Sequence, residues 1–171
     1  MQVHFFTKYT PAGASSRYRS YLYHPLLASA GWRVAVSPLF DDAYLNHKYA
    51  SGRARLLDVA RALARRLRDV WRLPRGAVVV IEYELLPYFP ALLERWLALR
   101  GCQVVDYDDA LFHQYDQHSR QWVRRLLGRK IATVMRLAHT VVAGNAYLAD
   151  YARRAGALPV KALSSKQDFC Q

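Results

Sequence analysis

The chain has 171 residues, 53% of them hydrophobic and 13% aromatic, and a formal net charge of +12. That length and apolar content support a real core and argue against disorder. Two cysteines, Cys102 and Cys170, are too few for a disulfide framework or a cysteine zinc site, which suits a reducing cytoplasm; no apolar run reaches the roughly 20 residues of a membrane span, and the opening "MQVHFF" lacks the basic start and long apolar core of a signal peptide.

Residues 2–6, "QVHFF", read as a first strand. The loop "TKYTPAGASS" follows, punctuated by Pro11 and Gly13, and Ser15 or Ser16 can cap the next helix. That helix carries Tyr18, Tyr21, Leu22, Leu26 and Leu27 at helical spacing, bends at Pro25 and stops at Gly31. "WRVAVSPLF" is a second strand. Residues 53–72 give the clearest helix, with Leu56, Val59, Ala60, Leu63, Leu67, Val70 and Trp71 on one stripe and the arginines mostly off its centre.

"AVVVIEY", residues 77–83, is a β-branched run without alternation, as in a strand buried on both faces. A helix then starts near Pro87 or Pro90 and ends at Gly101. "CQVVDYD" is the next strand. One long helix is expected over residues 117–138, with Trp122, Leu126, Leu127, Ile131, Val134, Met135 and Ala138 facing inward. "TVVAGN" is a strand, "AYLADYARRAG" a helix, and "LPVKAL" the start of a last strand. The alternation implies an α/β domain over 1–160: a Rossmann-like, open, mostly parallel sheet with helices on both faces. Residues 161–171 read as a polar tail.

Ligands of such sheets bind at the carboxyl ends of the strands, near the point where strand order reverses. Four loops should rim that edge: "TPAGASSR", "EYE" at Glu82–Glu84, "DYDD" from Asp106, and "GN" at Gly144 and Asn145. The first is an anion-site candidate, with Gly13, Ser15, Ser16 and Arg17 at the opening of a helix. The full G-x-G-x-x-G spacing is absent, so no dinucleotide fingerprint is present, and an ordinary strand-to-helix turn explains the loop equally well. In "DYDD", Asp106 belongs to the strand end. Asp108 or Asp109 could cap a short turn, or could accept a hydroxyl proton or hold a substrate hydroxyl. His113, four residues after Asp109, would meet it across one helical turn, or else is a surface histidine. Alternation points Glu82 and Glu84 the same way. One could bond a sugar hydroxyl, or pair with Arg17 or Arg19. Gly144 and Asn145 read as a turn with Asn145 capping the next helix.

The charge favours anionic partners: phosphorylated substrates, nucleic acid or an anionic membrane surface. The alternative is an arginine-rich solvated surface. The basic residues sit on amphipathic helices without a nucleic-acid recognition motif, so no nucleic-acid partner is expected. The stretch at 117–138, with Arg120, Arg124, Arg125, Arg129, Lys130 and Arg136, suits electrostatic docking on an anionic bilayer, its apolar stripe being committed to the core.

In order along the chain, "ASSRYRSYLYHPLLASAGWRVAVSPLF", "IEYELLPYFPALLE", "VVDYDDALF" and "VVAGNAYLADYA" resemble the N-terminal domain of family-four glycosyltransferases, from about residue 2 to residue 158. The resemblance implies one half of a two-domain GT-B fold, and a retaining transferase that needs no metal and uses a nucleotide sugar as substrate rather than a cofactor. In that family the N-terminal domain mainly holds the acceptor, a glycan or lipid-linked molecule, and a C-terminal domain holds the donor. The loop from Gly13 to Arg17 would then face the donor phosphates. Asp108 and Asp109 match the family's "DDA" turn at the cleft, with Glu82, Glu84 and His113 as further acceptor-binding candidates. No catalytic residue carries over. The resemblance ends at "GALPV", ahead of the expected donor domain. The reading is therefore of a truncated form, inactive alone, or of one half of a pair completed by a partner chain. The alternative is a stand-alone module that binds a glycan or an anionic surface. Either would be cytoplasmic, with a peripheral place at the inner face of the membrane.

Overall fold

A computed structural model describes residues 1–51 and 56–163. The expected tail from 164 onward lies outside them, as does the start of the helix expected at 53. The fold is α/β, an open all-parallel six-stranded sheet flanked by helices, in the order β2-β1-β3-β4-β5-β6. Two compact units make up the chain, residues 1–82 and 83–171, and each has its own strands and core.

In the first unit, β1 (Gln2–Tyr9) is paired in parallel with β2 (Arg33–Phe40) on one side and β3 (Val78–Glu82) on the other. Between β1 and β2 the chain forms α1 (Ala14–Arg19), a 3₁₀ turn at Tyr21–Tyr23, and α2 (His24–Ser29). The single bent helix expected here is thus three short pieces. Pro25 sits in the first turn of α2, where its missing N–H costs nothing. Gly31, at φ +81°, ends the segment as expected.

After β2 comes α3 (Asp42–Ser51), which sequence periodicity did not announce, and then α4 (Leu56–Trp71). α4 packs on β2 through part of the expected stripe: Val70 is buried, and Val59 and Leu63 lie against the core. Leu56 and Trp71 are largely exposed, and the buried positions are Ala62, Arg66 and Val70. Arg66 is 2% exposed, with one guanidinium nitrogen donating to the Thr7 carbonyl at 2.6 Å and the guanidinium carbon 4.9 Å from the Phe6 ring centroid. Leu39, Phe40 and Ala62 form the core beneath, with Tyr9, Tyr44, Val59 and Leu63 around them.

In the second unit, β4 (Gln103–Tyr107), β5 (Thr140–Ala143) and β6 (Val160–Ala162) are neighbours in that order, all parallel. α5 (Leu92–Ala98) starts just after Pro90, the later of the two expected starts, and ends short of Gly101. The long helix expected at 117–138 is broken. After the one-turn α6 (His113–Asp116), α7 (Gln121–Leu127) and α8 (Lys130–Leu137) replace it. The break falls at Gly128, where the chain turns so closely that a Cβ would stand 2.4 Å from the Arg124 carbonyl oxygen. Breaking the helix also reassigns its faces. Leu127, Ile131, Val134, Met135 and Ala138 are buried as the pattern required, and Val123 joins them outside it, whereas Trp122 and Leu126 are 57% and 65% exposed. α9 (Ala146–Arg154) follows β5. Its N-cap is Asn145, as expected, whose side chain accepts from the Leu148 N–H at 2.9 Å.

Candidate functional site

Strand order reverses between β1 and β3, the position where open parallel sheets bind ligands. Both strands end in the first unit, and what lies there is Glu82. The carboxylate is 6% exposed and accepts three bonds: from the Lys8 N–H at 2.9 Å, the Ser16 hydroxyl at 2.7 Å and the Ser15 hydroxyl at 3.2 Å. Ser16 in turn accepts from the Tyr9 N–H at 3.0 Å. Glu82 therefore ties the loop after β1 to the end of β3. It also presents negative charge, from inside the fold, to the opening of α1, where the helix dipole favours it. Gly13 is required for space. Its φ is an ordinary −79°, but a Cβ would come 2.5 Å from the Cβ of Tyr9. Arg17 donates to the Pro11 carbonyl at 3.4 Å and lies 5.2 Å from the Tyr18 ring centroid, so it pairs with neither glutamate in the way expected.

Glu82 and Glu84 part company because the strand ends at Glu82. Tyr83 takes a left-handed conformation, φ +63°, which breaks the alternation. Glu84 is buried against Lys130 and the Tyr115 hydroxyl, which donates to its carboxylate at 2.8 Å. Lys130 also donates to the Leu86 carbonyl, the Tyr115 hydroxyl accepts from the Tyr88 N–H at 3.0 Å, and Glu94 accepts from the Leu85 N–H at 3.0 Å. Side chains from α5, α6 and α8 thus satisfy the backbone of the loop after β3. Burial, reinforced by the Glu84 charge, pushes the Tyr115 hydroxyl far up; burial likewise raises Glu94 and Tyr107. Glu84 is the carboxylate of this clamp.

The carboxylates after β4 are placed differently. Asp106 is buried at the strand end, Asp108 is half-buried and accepts from the Tyr83 hydroxyl, and Asp109 is exposed. Neither Asp108 nor Asp109 caps a helix, since α6 starts at His113 with Phe112 before it and no side-chain cap. The expected contact of Asp109 with His113 across a helical turn is replaced. His113 places Nε2 3.0 Å from the Tyr147 hydroxyl and Nδ1 3.2 Å from Asp116, with the Gln117 amide 2.8 Å away. The ring of Phe112 stacks on Tyr151 at 3.7 Å beneath this group. Tyr147, on the first turn of α9, is half-exposed; its position two residues after the Asn145 cap was the available signal for it. The carboxyl ends of β4 and β5 therefore carry Asp108, Asp109, His113 and Tyr147, a set that can accept and donate hydrogen bonds to hydroxyl groups.

Among the described residues, no group of three or more His, Cys, Asp or Glu side chains is placed to hold a metal ion, and no helix is long and apolar enough to cross a membrane. No protein-family model matches the chain, and no curated protein matches it.

Proposed function

We propose that this chain is the acceptor-side domain of a retaining glycosyltransferase, and that the hydroxyl-binding group is Asp108, Asp109, His113 and Tyr147. The observation that carries this reading is an accessible carboxylate, Asp109, beside a half-buried one braced by Tyr83, at the ligand-binding edge of a parallel sheet. Asp109 caps no helix and, among the described residues, has no arginine partner, which suits it to gripping an acceptor hydroxyl as it attacks. The donor is a nucleotide sugar held by a second α/β domain, and the place of work is the cytoplasm, at the inner face of the membrane. Saturation-transfer NMR with methyl glycosides of glucose, galactose, mannose and N-acetylglucosamine tests the acceptor role. At least one glycoside gains signal, and Asp109→Asn removes it while the fold is retained. Absence of signal from every glycoside, or signal indifferent to Asp109→Asn, overturns the reading.

A second reading, a module that binds anionic surfaces, is favoured by α7. Its outward face carries Trp122 and Leu126 between Arg120 and Arg125 around one concavity. An exposed tryptophan and leucine flanked by arginines suit a bilayer interface, so docking here need not be purely electrostatic. Co-sedimentation with phosphatidylglycerol vesicles, lost in Trp122→Ser/Leu126→Ser, supports it; equal binding to neutral vesicles contradicts it.

A further inference from the structure

In the second unit, a concavity on α8 and the end of α9 is ringed by Arg129, Thr133, Arg136 and Arg154, with the small residues Ala155 and Gly156 in its lining. Arg129, Thr133 and Arg136 share one face of the helix, by their spacing. The stem of Arg136 runs over a bare backbone: a Cβ on Gly156, whose φ is +84°, would lie 3.7 Å from its Cδ. Three guanidinium groups thus border a space that side chains leave open.

Among the described residues, no ion pair joins any of the three to a carboxylate. The nearby acids are engaged elsewhere. Asp150 pairs with Arg153 at 2.7 Å and Asp116 with His113 at 3.2 Å. Arg154, at the end of α9, gains from the helix dipole; Arg129, at the start of α8, is opposed by it. The fold holds three like charges around one opening without compensating them, and a bound anion would do so. Arginine forks match phosphate oxygens two at a time. Arg129 and Arg136 are seven residues apart, about 10 Å along a helix axis. That span suits two linked phosphate groups better than one.

We propose that this concavity binds a soluble diphosphate anion or a diphosphate ester. It shares no residue with the Asp108–Tyr147 group, and it stands whether or not the chain takes part in sugar transfer.

Titration calorimetry with inorganic pyrophosphate, against orthophosphate and against chloride at matched ionic strength, tests it. Saturable binding at one site is expected, tighter for pyrophosphate than for orthophosphate. Arg136→Gln and Arg154→Gln should each weaken it about tenfold or more, as loss of a charged bidentate contact implies, while Arg95→Gln on α5 leaves it unchanged. Where a glutamine variant loses its circular-dichroism signature, Thr133→Glu, which sets a carboxylate at the rim, should abolish binding in its place. No saturable heat with pyrophosphate, an equal loss in Arg95→Gln, or binding to phosphatidylglycerol vesicles without binding to pyrophosphate would each overturn the proposal.

Discussion

The Ser16 hydroxyl donates to Glu82 at 2.7 Å, joining the loop after β1 to the end of β3 across the place where strand order reverses. A crevice that many parallel sheets offer to a ligand is here bridged by the chain's own carboxylate and hydroxyl. Glu82→Ala removes the acceptor of three donors, one of them the buried Ser16 hydroxyl. Bonds to charged groups contribute about 1.5–3 kcal/mol each, with non-additive sharing, so a loss of about 3 kcal/mol is expected in urea unfolding. A loss below about 1 kcal/mol would show that water replaces the contacts.

Gly13→Ala tests the close approach to Tyr9. A Cβ at 2.5 Å from the Tyr9 Cβ forces the loop or the strand to shift, with a cost of about 1–3 kcal/mol. An unchanged melting temperature would mean the loop yields freely.

Lys130→Met strands Glu84 in the interior. Breaking a buried pair costs about 3–5 kcal/mol, chiefly through the uncompensated charge. Adding Glu84→Gln removes that charge and keeps a group able to accept from Tyr115, so the double variant should recover more than half of the loss. If the two substitutions are simply additive, the pair is not the source of the effect.

Acid should weaken the first unit. Burial lowers the His4 pKa, with Arg66 adding and Asp69 opposing, and burial lowers that of His24. The folded state keeps both rings neutral while the unfolded chain takes up protons below about pH 6.5. Their contribution is therefore present above that pH and lost as pH falls toward the lowered folded values. Glu94 runs the other way. Its raised folded pKa makes its contribution full at low pH and lost as pH rises through that value. The double variant His4→Gln/His24→Gln should thus lose less stability between pH 7 and pH 5 than the parent chain. Equal losses would place the acid sensitivity elsewhere.

The parallel α/β fold, the Asn145 cap, the Gly31 stop and the last strand at β6 were legible because each depends on local pattern or turn chemistry. What the sequence hid was set by tertiary contact. Tyr83 enters the left-handed region against its own preference, and so the two glutamates on either side of it serve different networks. Gly128 breaks a helix whose apolar period runs on without interruption, turning Trp122 and Leu126 outward. Arg66 is buried against the Phe6 ring and the Thr7 carbonyl, a placement its charge alone would not announce. The aspartates after β4 were visible as a cluster, but Tyr147 and the His113–Asp116 pair come from chain segments that only the fold aligns.

On the proposed function, the carboxylates after β4 hold an acceptor. Amide chemical-shift mapping during titration with the methyl glycosides tests it most directly. The account predicts shifts concentrated at Asp108, Asp109, His113 and Tyr147, abolished by Asp109→Asn with the melting temperature unchanged. Shifts clustered elsewhere, or an Asp109→Asn variant that melts early yet binds as before, would contradict it.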